Sequence, residues 1–139
     1  MTLQIAQTDA EILSLYPVMH ELRTHISEAD FLPQVRRQEA DGYTLAYVED
    51  DGAVVAVAGF HIEEALAWGK YMYVYDLVTS QNARSAGHGK ALLDFLKARA
   101  REAGCAQLHL DSGVQRFAAH RFYLREGMYI SAHHFQFDL

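Results

Sequence analysis

The run Tyr71-Met72-Tyr73-Val74-Tyr75-Asp76-Leu77-Val78-Thr79 passes through a polar loop to Gly87-His88-Gly89 and then into a long helical pattern. Aromatic and β-branched residues make the first part a strand. In the last part Leu92, Leu93, Phe95 and Leu96 supply a buried side, while Lys90, Asp94, Lys97 and Arg101 recur as a wet stripe. Glycines at the junction let the backbone turn sharply and come close to a ligand, and the unpaired N–H groups of a helix start carry partial positive charge. Such a turn is an anion site, and it commits this part of the chain to a helix packed on a sheet. Arg84 and Lys90 flank it with formal charge, which suits a pyrophosphate better than a single carboxylate.

The remaining pattern extends that layout. Leu3 to Ala6 reads as a short strand, and Thr8-Asp9-Ala10-Glu11 has the capping-box spacing that opens a helix running to about Arg23. Ser27 caps a second helix carrying Phe31, Val35 and Gln38, with Pro33 tolerated in its first turns. Tyr43, Leu45 and Tyr47 belong to one strand and Val54 to Phe60 to the next, with the hairpin dipeptide Asp51-Gly52 between them. Gly104 ends the long helix, Ala106 to Asp111 is a strand, Val114 to Glu126 is a helix closed by Gly127, and Tyr129 to Phe137 is the last strand or strand pair. The expected order is β-α-α-β-β-β-α-β-α-β: an α/β (mixed α+β) domain with a central, mostly antiparallel mixed sheet flanked by helices. The 139 residues hold no internal repeat, low-complexity tract or linker, so a single domain over residues 1–139 is expected.

Charge narrows the partners. Twelve Lys and Arg against eighteen Asp and Glu give a net charge of −6, the opposite of a nucleic-acid footprint, and make an amine-bearing partner electrostatically easier. Met1 to Thr8 has neither a basic start nor an apolar run, and no apolar stretch reaches membrane-spanning length, so a soluble cytoplasmic protein without membrane attachment is expected. Cys105 is the only cysteine, which rules out an internal disulfide and fits a reducing compartment.

Residue types decide among the ligands such a turn can hold. A Walker A loop fails twice, with Arg84 where its first Gly should stand and Ala91 where its magnesium-binding hydroxyl should stand. A dinucleotide fingerprint has its ribose-binding acid near the right distance in Asp111, but Leu92 fills its third small position and a second βαβ half is missing. Arg84-x-x-Gly87-x-Gly89 resembles the Gln/Arg-x-x-Gly-x-Gly/Ala signature of the GNAT superfamily of N-acetyltransferases. The strand end Leu77-Val78-Thr79 looks like that family's pantetheine-binding strand, and Ala119 to Met128 resembles its late helix, with Phe122-Tyr123 ahead of Gly127-Met128. The resemblance spans essentially the whole chain, with specific motifs from Tyr73 to Tyr129. It departs at Gln81 and Ser85, where the family often has Pro and Gly, and at Arg116, where it often has a cofactor-contacting Asn.

The resemblance implies transfer of an acetyl group from acetyl-CoA to a primary amine by direct attack. Arg84, Ser85, Ala86, Gly87, His88, Gly89 and Lys90 would hold the pyrophosphate, and Leu77, Val78 and Thr79 would pair with pantetheine, the Val78 N–H facing the thioester oxygen. Arg116 is a further cofactor contact. Tyr123 matches the position that protonates the departing thiolate, a competent donor because a phenol stays protonated at neutral pH. Asp76, two residues before Val78 and so on its face, is the candidate base or amine anchor, with His61, Glu63 and Glu64 as competitors. The acceptor would lie in a cleft between the first two helices and the Tyr71 strand. If Glu21, Glu28, Asp30, Glu63, Glu64 and Asp76 face that cleft, it favours a cationic amine on a small molecule or a protein. The alternative is a CoA-binding sensor of the same fold without turnover. Cys105 and His109 lie about 13 Å apart along a strand, too far for a thiol–imidazole pair, so Cys105 reads as a buried free thiol. No histidine grouping completes a metal set, so no metal is expected. Trp68 is a lid or a capping aromatic, and exposed C-terminal strand edges offer a route to a homodimer.

Overall fold

Strand β1 (Thr2–Ile5) leads into α1 (Asp9–Ser14), where Thr8 and Glu11 complete the expected capping box. The helix does not continue to Arg23. It breaks at Leu15 and restarts as α2 (Tyr16–Leu22), because Pro17 has no N–H to carry the ladder and sits instead in a first turn, where none is needed. Ser27 caps α3 (Glu28–Ala40), and Pro33 is held inside it. There follow β2 (Thr44–Asp50), β3 (Ala53–Ala65), β4 (Gly69–Thr79), a single 3₁₀ turn at Gln81–Ala83, α4 (His88–Glu102), β5 (Gln107–Leu110) and α5 (Phe117–Arg125). This structure, a computed structural model, describes every residue except Ser85. No helix among the described residues is long and apolar enough to cross a membrane.

Three helices end alike. After α3, α4 and α5 the chain turns through Gly42, Gly104 and Gly127, all at positive φ. In each case the next residue's N–H reaches back to the third-last helical carbonyl: Tyr43 to Gln38, Cys105 to Ala100 and Met128 to Tyr123. The β2–β3 hairpin turns on Asp51 and Gly52 at φ 52° and 77°, both left-handed, as a type I′ turn requires.

The sheet runs β1-β2-β3-β4-β5, with the first three pairings antiparallel. Two compact units are formed, residues 1–109 and 110–139. In the first, one face of the sheet carries Leu45, Tyr47, Val57 and Val78 into a core with Ile12, Leu15, Val18, Phe31 and Val35 of α1 to α3. Leu92, Leu93 and Leu96 of α4 are fully buried, and α4 packs on β2, β3 and β4. Burial on both sides explains the unbroken apolar run Val54 to Phe60. Leu96→Ala leaves a cavity there and should cost about 2–5 kcal/mol, read as a lower urea midpoint at unchanged slope.

In the second unit α5 is followed by residues 128–139 without regular structure. The expected last strand is therefore not formed among the described residues. Phe135, Phe137 and Leu139 keep the alternation a strand needs, yet they stand exposed. Alternation marks which face would be buried, but a strand forms only against a backbone that pairs with it.

Candidate active site

A break in register builds the site. On β3 and β4, Gly59 faces Asp76 while the next pair is Phe60 with Val74, so Tyr75 is an extra residue bulged out of β4. Period two alone would send Tyr75 and Asp76 to opposite faces. The bulge turns both toward one pocket of about 440 Å³, lined by α2, α3, their connection and the sheet with the residue that leads into β2, and including Arg23, His25, Gln38, Tyr43, His61 and Asp76. The cleft expected between the first helices and the Tyr71 strand is there.

Asp76 is tied down in it. Arg23 Nε donates to Asp76 Oδ1 at 2.8 Å, Tyr43 Oη donates to Asp76 Oδ2 at 2.5 Å, and Arg23 Nη2 donates to the Tyr75 carbonyl at 2.7 Å. Its side chain is 13% exposed, that of Arg23 38%. Burial first, and then the neighbouring Asp76 carboxylate, push the Tyr43 phenol well above its ordinary pKa, so it stays a donor. Tyr43 reaches Asp76 across Gly59, the one residue type that leaves room for its ring.

Of six carboxylates expected to make the cleft acidic, only Asp76 lines it, and Arg23 compensates its charge. Glu21 instead accepts from Ser80 Oγ at 3.1 Å and from the Gln81 N–H at 2.9 Å, fastening the end of β4 to α2. Glu28 and Asp30 occupy the exposed first turn of α3, and Glu64 is exposed. Glu63 accepts from Tyr71 Oη at 2.9 Å and Tyr75 Oη at 3.3 Å, with His61 Nδ1 3.7 Å away. Trp68 caps this aromatic row, stacked on His109 at 4.0 Å and edge-on to Tyr71 at 5.1 Å. Cys105 is half-buried rather than buried.

The cofactor-binding candidates fall into two groups. Gly87 takes a left-handed φ of 83° and opens α4 without a side chain to cap it. The first intrahelical bond is Ala91 N–H to the Gly87 carbonyl, so the N–H groups of His88, Gly89 and Lys90 have no partner within the helix. This donor set fits a pyrophosphate. Arg84 and Ala86 are exposed beside it, and Ser85 lies outside the described residues. Two side chains have other work. Lys90 Nζ bonds Asp94 at 2.8 Å, and buried His88 turns to Asp50 of the hairpin at 3.4 Å, its Nδ1 without a hydrogen-bond partner among the described residues.

Strand β4 offers the second group. The Ser80 N–H donates to the Val55 carbonyl, and antiparallel alternation then aims the Val78 N–H at β3 too. The Val78 amide is thus used inside the sheet and does not face a thioester; Leu77 and Thr79 direct their amides to the other edge. Four-residue β5 joins that edge at its start, with the Ala106 N–H on the Lys70 carbonyl, and is too short to reach Leu77. In the second unit Tyr123 is buried on α5. Burial raises its phenol pKa, and the Arg116 guanidinium opposes this by charge and by a hydrogen bond. Arg116 is thus a neighbour of Tyr123, a placement that reading along the sequence did not reveal.

The first unit thus holds a glycine turn at the start of α4 without a side-chain cap, the bulged strand β4 and a polar pocket. The acetyltransferase (GNAT) family matches residues 8–128, and the chain belongs to that family. It is 37% identical over 109 residues to an uncharacterized N-acetyltransferase, YhdJ, of Bacillus subtilis, covering 78% of this chain and 77% of that protein. It is 34% identical over 88 residues to an aminoalkylphosphonate N-acetyltransferase of Salmonella typhimurium, covering 63% of this chain and 56% of that one. The crystal structure of a ribosomal-protein-alanine N-acetyltransferase from Brucella melitensis superposes with a TM-score of 0.86 over the whole of both chains, at 14% identity, a likeness of fold. The enzyme class is N-acetyltransferase, on a mixed fold with a mostly antiparallel five-stranded sheet.

Proposed function

We propose that this chain transfers an acetyl group from acetyl-CoA to a primary amine of a small molecule by direct attack. The observation that carries the reading is the start of α4, where the left-handed Gly87 is followed by backbone N–H groups that have no partner within the helix. They suit a pyrophosphate, with Arg84 adding charge at the surface. Acetyl-CoA supplies a thioester carbonyl already activated toward an amine. Leu77 and Thr79 pair with the pantetheine arm as an added strand would, and the Leu77 N–H replaces Val78 as the donor to the carbonyl oxygen. Asp76 has both oxygens engaged, which makes it an anchor for the amine rather than a free base. Tyr123 gives its proton to the leaving thiolate and is restored by the proton that the attacking amine gives up to solvent. A pocket of about 440 Å³ is of small-molecule size. A single free cysteine accords with a cytoplasmic setting.

Thermal unfolding with acetyl-CoA, CoA and NADH side by side tests the reading. At a hundredfold excess over the dissociation constant a specific ligand adds about 2.7 kcal/mol, a rise of several degrees for a chain of this size. Acetyl-CoA and CoA should produce it and NADH should not. Thiol release across a panel of amines then separates an enzyme from a CoA-binding sensor. No rise at saturating acetyl-CoA overturns the proposal.

A further inference from the structure

We infer that the acceptor is a small zwitterionic amine, one whose carbon chain ends in a carboxylate or phosphonate. The inference rests on the pocket's being the acceptor site, and it names the substrate class of that site. An amine-binding pocket of the expected kind would present uncompensated carboxylates. This one presents an ion pair. Arg23 spends Nε on Asp76 and one Nη2 proton on the Tyr75 carbonyl, and its Nη1 makes no hydrogen bond among the described residues. A guanidinium carries five donors in a rigid fork, so most of a bidentate edge is left for an oxyanion. Gln38 adds to it, since its carbonyl already accepts from Gln34 Nε2 at 3.0 Å and its amide protons have no partner among the described residues. His25, exposed and in no ion pair among the described residues, and His61 also line the pocket.

Acceptor groups are scarcer. Asp76 takes two hydrogen bonds but has four lone-pair sites, so it retains capacity for one ammonium at the β4 end, next to Leu77. A cation with spare donors beside an anion with spare lone pairs is complementary to a molecule bearing both signs. A simple alkylamine would leave the guanidinium edge unpaired, and a diamine would place its second charge against Arg23.

The test reads binding directly, without acetyl-CoA, so it stands apart from the cofactor assignment. β-Alanine, 2-aminoethylphosphonate, propylamine and 1,3-diaminopropane are titrated against the full chain by ligand-observed NMR. Both zwitterions, or the one whose anion fits, should bind about ten- to a hundredfold tighter than propylamine, the worth of a charge-assisted hydrogen bond. Their ratio tells carboxylate from phosphonate. Arg23→Gln should erase the preference. Arg23→Lys, which keeps the charge and hence the tie to Asp76 but loses the fork, should reduce it while thermal unfolding shows the fold intact. Equal or tighter binding of propylamine or the diamine overturns the inference, as does a preference that survives in Arg23→Gln or no binding of either zwitterion. Failure of the acetyl-CoA reading would appear separately, as an absent thermal shift with acetyl-CoA.

Discussion

Tyr123→Phe should lower acetyl transfer about a hundredfold to ten-thousandfold while leaving acetyl-CoA binding within about twofold, the pattern of a lost proton donor rather than a lost contact. The hydroxyl is all that the substitution removes. The ring keeps its place because the backbone there is pinned from both sides: the Tyr123 carbonyl accepts from the Met128 N–H in the turn that closes α5, and the residue is buried. Loss of the partner beside Arg116 should cost only about 1 kcal/mol in stability. The pH dependence has a definite sign. Burial raises the phenol pKa and Arg116 only partly opposes it, so the acid form persists above the ordinary phenol value of about 10. An alkaline limb set by this group should therefore lie above that value in the native protein and vanish in Tyr123→Phe. Stopped-flow thiol release at saturating acetyl-CoA measures the loss. Full activity in the variant would mean that water or another group protonates the thiolate.

What could be read along the chain was local. Thr8 with Glu11, Asp51 with Gly52, and the closing glycines 104 and 127 act through bonds spanning a few residues, and each stands where its neighbours predict. Pro17 carries its own signal: without an N–H it starts a helix more readily than it continues one, and the chain breaks at Leu15 to place it in a first turn. The site depended on distance. Arg23 and Asp76 are 53 positions apart, and nothing near either one announces the pair. The bulge at Tyr75 is a property of two strands together, invisible in β4 alone, yet it decides which β4 side chains line the pocket. The C-terminal alternation shows the reverse case, a local pattern whose pairing partner the sequence cannot supply.

Gly59→Ala should destabilise the protein by about 3 kcal/mol or more, a large effect for one methyl group. Gly59 has no need of a left-handed conformation; it is not among the residues at positive φ. Its constraint is space. A β carbon built there overlaps the ring and hydroxyl of Tyr43, which is buried and therefore cannot swing into water. Accommodation means moving the ring or the strand, and either breaks the bond from Tyr43 to Asp76, leaving a mostly buried carboxylate with Arg23 alone. Steric cost and lost hydrogen bond thus fall on one contact. A double-mutant cycle with Tyr43→Ala isolates it: in that background Gly59→Ala should cost less by more than about 1 kcal/mol, because the obstructing ring is gone. Urea unfolding of the four proteins gives the coupling. A cost below about 1 kcal/mol for the single substitution would show that Tyr43 has another place to go, and that the tie between Tyr43, Asp76 and Arg23 is not what holds this wall of the pocket.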